Sequence, residues 1–152
     1  MLVYMWASQD KTFGPTVAKT MVNGDVVFTV SGGPIRILEL ISICVTTNTT
    51  ASTMQWQSVP TVGTATTFSG ASASLATATA GTTLMLAHTA LSTAPTPVLA
   101  SAGGVQLGST AVNRITIKDG TIKLVIGVGT TDGTWQHAIR YQPLTTDSII
   151  NG

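Results

Sequence analysis

The segment RITIKDGTIKLVIG, residues 114–127, constrains the fold more than any other part of the chain. Ile115, Ile117, Ile122, Leu124 and Ile126 share one alternating face. Arg114, Thr116, Lys118, Thr121 and Lys123 share the other, as a half-buried pair of strands requires. Asp-Gly is a favoured two-residue hairpin turn. Placed at Asp119-Gly120, that turn predicts the pairs Lys118–Thr121, Ile117–Ile122, Thr116–Lys123 and Ile115–Leu124.

Composition agrees with strands. Thr, Ser, Ala and Gly number 28, 12, 16 and 15, together 71 of 152 residues, so β-branched and small side chains dominate. Strands are expected at 25–31, at 35–45, at 52–59, at 82–89 and from Thr134 to Pro143, where Trp135, His137, Ile139 and Tyr141 fall on one face. In the strand at 35–45 both parities are apolar. Ile35, Ile37, Ile41, Ile43 and Val45 oppose Leu38, Leu40, Ser42 and Cys44, so both faces need cover. A homotrimer is the expected way to supply it. The Thr/Ala/Ser/Gly segment at 61–83 reads as exposed strands and loops. The fold class expected is all-β: a jelly-roll-like β-sandwich over residues 11–152, with residues 1–10 an apolar arm or first strand.

Charge is scarce and unevenly placed. Only 9% of residues are charged, and none lies between Glu39 and Arg114. Small soluble proteins ordinarily carry mixed surface charge, so this neutral span reads as surface covered by partners. A net charge of +1 disfavours nucleic acid, whose binding needs clustered cations. No apolar run reaches the length of a membrane span, and the start MLVYMWASQD has no basic region of a signal peptide.

Catalytic and metal chemistry find no pattern. Asp119 and Asp132 stand in Asp-Gly turns. His88 and His137 have no ligand-spaced neighbour, no GxSxG elbow or phosphate loop is present, and Cys44 reads as a buried small hydrophobe. Glu39, three residues after Arg36, reads as a buried ion pair or a contact between subunits. Asn48-Thr49-Thr50 matches a glycosylation acceptor by chance. No enzyme activity, cofactor or metal is expected.

Two stretches, residues 33–57 and 119–152, resemble small tailed-bacteriophage and prophage virion proteins of the head-decoration, or cement, type. The matching positions are Gly120 to Ile126, Gly133 to Trp135 and Tyr141 to Leu144. The resemblance implies a sandwich on the capsid exterior, made in the host cytoplasm, that clamps neighbouring major capsid protein subunits and is often trimeric. A partner interface is expected at Leu2, Val3, Tyr4 and Trp6 of the arm and at Leu38 and Leu40 of the double-faced strand. The alternatives are a tail, fibre or connector component, or a carbohydrate-binding sandwich using Trp6, Trp56 and Trp135 as stacking platforms.

Overall fold

The computed structural model describes residues 10–86, 96–98, 115–128 and 130–152. Among them there is no helix. The strands are β1 (Lys11–Phe13), β2 (Lys19–Thr20), β3 (Val26–Ser31), β4 (Ile35–Cys44), β5 (Thr53–Pro60), β6 (Thr66–Thr67), β7 (Thr83–Met85), β8 (Thr96–Val98), β9 (Ile115–Ile117), β10 (Gly120–Gly127), β11 (Thr134–Pro143) and β12 (Ile149–Asn151). They form two antiparallel sheets. The larger runs β1-β11-β4-β7-β8, with β2 also on β11 and β9 also on β4; the smaller runs β12-β3-β10-β5-β6. The two sheets stack as a β-sandwich on one shared core.

The core is built by alternation. Met54 and Trp56 of β5, Ile122, Leu124 and Ile126 of β10, and Trp135, Ile139 and Tyr141 of β11 all point inward. Burying each large apolar side chain contributes about 1.5–3 kcal/mol before conformational entropy is counted. The Tyr141 hydroxyl, at the inner face of the larger sheet, accepts a hydrogen bond from Ile150 N of β12 at 3.2 Å and so ties one sheet to the other.

The Asp119-Gly120 hairpin does not form. β9 pairs with β4, Ile117 opposite Ile35 and Ile115 opposite Ile37, while β10 lies in the other sheet between β3 and β5. Lys118 and Asp119 make a corner that carries the chain across the sandwich. The expected segregation of faces survives, because the inner faces of both sheets turn toward the same core. Alternation reports which side chains are inside and is silent about which strand lies alongside. The corner is pinned by the Asp119 carboxylate, which accepts from Gly33 N at 2.8 Å, and by the Asp119 carbonyl, which accepts from Thr61 N at 2.8 Å. Gly120 has φ +147°, and a Cβ there would lie 2.6 Å from Pro60 Cα and closer still to the Val59 carbonyl oxygen. Only glycine lets three strands crowd together at this point.

β4 also departs from simple alternation. Glu39 pairs with Arg140 and Ile37 with Tyr141, leaving Leu38 as an extra residue in a bulge. Beyond the bulge the parity inverts. Ile35, Ile37, Leu40, Ser42 and Cys44 are buried inside, whereas Arg36, Leu38, Glu39, Ile41 and Ile43 occupy the partly buried outer side. Glu39 is therefore not a buried ion pair with Arg36. Its carboxylate faces Arg140 at 3.8 Å on the surface, where such a pair is worth little, and Arg36 donates to Gln142 Oε1 at 3.0 Å.

The small-residue segment after β5 shields an edge. Main-chain bonds from Phe68 N to Trp56 O and from Ser72 N to Met54 O alternate with side-chain bonds, in which Ser69 and Ser72 hydroxyls accept from Trp56 N and Met54 N. Phe68, Leu75 and Ala78 anchor this cover in the core. Serine suits the task because a hydroxyl can stand in for a strand carbonyl without adding bulk, and a covered edge cannot pair with another chain.

Candidate functional site

The sandwich is open along one side, where the 13–21 stretch at the edge of the larger sheet faces β3 and Gly152 of the smaller. A groove of about 400 Å³ lies there, lined by Val17, Lys19, Asp25 and Val26, with Met21 and His137 at its floor and Gly152 packed against the Phe13 ring at its end. Its walls follow from local chemistry. Thr16 extends the β11 ladder past β1, its N donating to His137 O at 2.8 Å and its hydroxyl accepting from His137 N at 3.0 Å. Met21 is held by a reciprocal pair with Thr131, whose hydroxyl accepts from Met21 N at 2.8 Å and whose N donates to Met21 O at 3.0 Å. The turn Val22–Asp25 closes through the Asp25 carboxylate, which accepts from Val22 N at 2.8 Å.

The groove is apolar at its lips and neutral overall. Val17 is 87% exposed and Val26 45%. Lys19 and Asp25 approach to 3.7 Å and cancel one another's charge. At the floor His137 is buried, with Nδ1 2.6 Å from Ser42 Oγ and Nε2 3.0 Å from Met21 Sδ. A thioether only accepts hydrogen bonds, so Nε2 carries the ring proton and Nδ1 accepts from the Ser42 hydroxyl. Burial pushes the His137 pKa down to about 3, with the positive charge of Lys19 acting in the same direction and Asp25 opposing. This imidazole is neutral across the physiological range. Ser42 is fully buried, and the His137 nitrogen turned away from it meets sulfur rather than a carboxylate. The pair orders the core, fixing Met21 against β4 and β11.

A second polar cluster ties three loops together. Asn48 is fully buried; its amide donates to Thr50 O and Leu75 O at 2.8 and 2.9 Å, and its oxygen accepts from Asp132 N and Gly133 N at 3.1 Å each. Asp132 accepts from Thr49 N, Thr50 N and the Thr49 hydroxyl, and these bonds hold its carboxyl well below the usual carboxylate range. With all four of its bonds used inside the protein, the Asn48 amide is not open to glycosylation. Cys44 lies beside this cluster, its thiol directed at Thr46 O and Ala78 O and pushed up in pKa by burial. Among the described residues no three His, Cys, Asp or Glu side chains gather as a metal site.

The expected interface residues fare differently. Leu2, Val3, Tyr4 and Trp6, like His88, lie outside the described residues. Leu38 stands at the bulge on the outer side of β4, partly buried. Leu40 is corrected: the bulge turns it inward, where it is fully buried in the chain's own core and presents nothing to a partner. Trp56 and Trp135 are also fully buried, each with an indole N–H that has no hydrogen-bond partner among the described residues, so neither offers a ring face to a sugar. The outer face of the larger sheet instead brings together Ala138, Ile41 and Met85 in one cross-strand row and Gln136, Ile43 and Thr83 in the next. Neither the groove nor this face was visible in the sequence, since each joins residues from distant parts of the chain.

Comparison with known proteins finds no matching family model, no matching curated protein and no matching solved structure.

Proposed function

We propose that the protein is a non-catalytic virion component of the tailed-bacteriophage head-decoration type. In this reading a jelly-roll-like sandwich, made in the host cytoplasm and acting as a homotrimer, binds the capsid exterior and bridges major capsid protein subunits. The observation that carries it is the outer face of the larger sheet. Leu38, Ile41, Ile43, Met85 and Ala138 are all partly buried there, and the nearby Glu39 and Arg140 offset each other. With no charged residue from 40 to 113, the chain presents a neutral, small-residue surface of the kind that packs against protein rather than water. No cofactor, metal, nucleic acid or membrane enters the mechanism. Binding the assembled lattice and not its separated subunits stabilises the shell by mass action, by about 2.7 kcal/mol per site at a hundredfold excess over the dissociation constant.

Co-sedimentation with purified expanded shells that lack the protein tests the proposal. Binding together with a raised shell melting temperature is expected; failure to sediment with shells at micromolar concentration overturns it. The same surface argument supports a tail, fibre or connector component, which would instead bind purified tails or connectors. A carbohydrate-binding role is disfavoured by the burial of Trp56 and Trp135.

A further inference from the structure

We propose that two copies of this chain pair face to face through the outer side of the larger sheet, about a twofold axis that runs along the strands between β4 and β11. The proposal rests on the reading of that face as a protein contact and names its partner in the free protein as a second copy; it assumes neither the trimer nor the capsid.

The layout of the face comes first. Every described strand belongs to one of the two sheets, and both sheets turn their inner sides to the shared core, so no described strand lies over the outer side of the larger one. Directly paired residues of neighbouring strands point to the same side. Three rows follow there from the register of β11 on β4: Arg140 beside Glu39, Ala138 beside Ile41, and Gln136 beside Ile43. All three lie on one side of the bulge, in an unbroken register, so their spacing is that of a regular sheet.

Charge and size then choose the occupant. An axis between two adjacent strands exchanges them, so β4 of one copy lies over β11 of the other and each row meets its own reversed image. Glu39 faces Arg140 of the second copy, and Arg140 faces its Glu39. Within one chain that pair is loose, 3.8 Å between Nε and Oε2 with both side chains about half exposed, whereas a charge-assisted hydrogen bond closes to about 2.8 Å. Pairing gives each carboxylate a second guanidinium and each guanidinium a second carboxylate. The same operation sets Ile41 over Ala138 of the second copy, a large side chain over a small one, and does so twice. Interdigitation of that kind is how stacked sheet faces pack. A partner that matched only the charges would fit in many orientations; a single axis that satisfies charge in one row and size in the next favours a second copy of this surface. The net charge of +1 sets little repulsion between copies, and a twofold contact closes on itself without a third chain.

Light scattering on the full chain tests the pairing. The wild type is expected at twice the 15.6 kDa of one chain, or at six times if trimers also pair. Glu39→Arg sets arginine over arginine, and Arg140→Glu sets glutamate over glutamate. Each variant alone should halve the mass while keeping the circular dichroism of the wild type, since both side chains are on the surface. An equimolar mixture of the two variants should regain the wild-type mass, because every facing pair is then attractive again, a rescue that unfolded chains could not give. Variants that keep the wild-type mass alone, or a mixture that does not regain it, overturn the proposal. A wild-type mass of three chains overturns the pairing and leaves the trimer standing; a monomeric wild type at micromolar concentration overturns both. Shell binding is read separately, by sedimentation.

Discussion

Lowering the pH from 7 to 4 should remove about 3 kcal/mol of folding stability through His137 alone. In the folded protein the His137 pKa is about 3, against 6.5 for an unperturbed histidine. The unfolded chain therefore takes up a proton that the folded core refuses. The contribution is complete above pH 6.5 and is lost progressively as the pH falls toward 3, at about 1.4 kcal/mol per pH unit. For a chain of this size the loss by pH 4 corresponds to roughly 10 °C in thermal midpoint. The structural cause is the burial itself: Ser42 and Met21 occupy the two ring nitrogens, and a protonated ring would have to reverse the Ser42 hydrogen bond, with Nδ1 donating, and hold a charge away from water. Urea unfolding of the wild type and of His137→Gln, followed by circular dichroism at half-unit steps between pH 4 and 8, isolates the effect. Carboxylates such as Asp132 titrate in both proteins and drop out of the difference. The wild type should lose stability faster on the acid side by about 1.4 kcal/mol per pH unit. Parallel profiles would refute the assignment of a neutral, sealed imidazole.

Other consequences are sharper still in a single measurement. Gly120→Val should destabilise by about 3 kcal/mol or more, since the left-handed φ and the clash with Val59 and Pro60 act together; a thermal midpoint within a few degrees of wild type would place the corner elsewhere. Asn48→Ala leaves Gly133 N buried without its partner and removes one of the two donors to Leu75 O, and should cost about 2 kcal/mol by chemical denaturation. Val128 is 76% exposed with φ +60°, a costly conformation for a β-branched residue, so Val128→Asn should stabilise the fold by about 1 kcal/mol in the same assay. An unchanged or lowered midpoint in that variant would show that the loop gains something from valine.

By itself the sequence determined the longer strands and most of their inward faces, but not the short β1, β2, β6 and β12. The alternation at 52–59, 120–126 and 134–142 places Met54, Trp56, Ile122, Leu124, Trp135, His137 and Ile139 inside, where they are found. That much is local, because a pleated strand with one wet face admits only one parity. Tertiary structure decided which strands are neighbours. Ile115 and Ile117 satisfy the same alternation whether β9 folds back on β10 or crosses to β4, and the choice rests on contacts with Ile35 and Ile37 some eighty residues away. It also decided the bulge at Leu38, which sends Leu40 inward and leaves Ile41 and Ile43 outside, because parity read along a sequence assumes a regular register. The groove depends on tertiary structure for the same reason: it joins the 13–21 stretch, β3, His137 and Gly152, which no spacing relates and which only the stacking of two sheets brings to one opening.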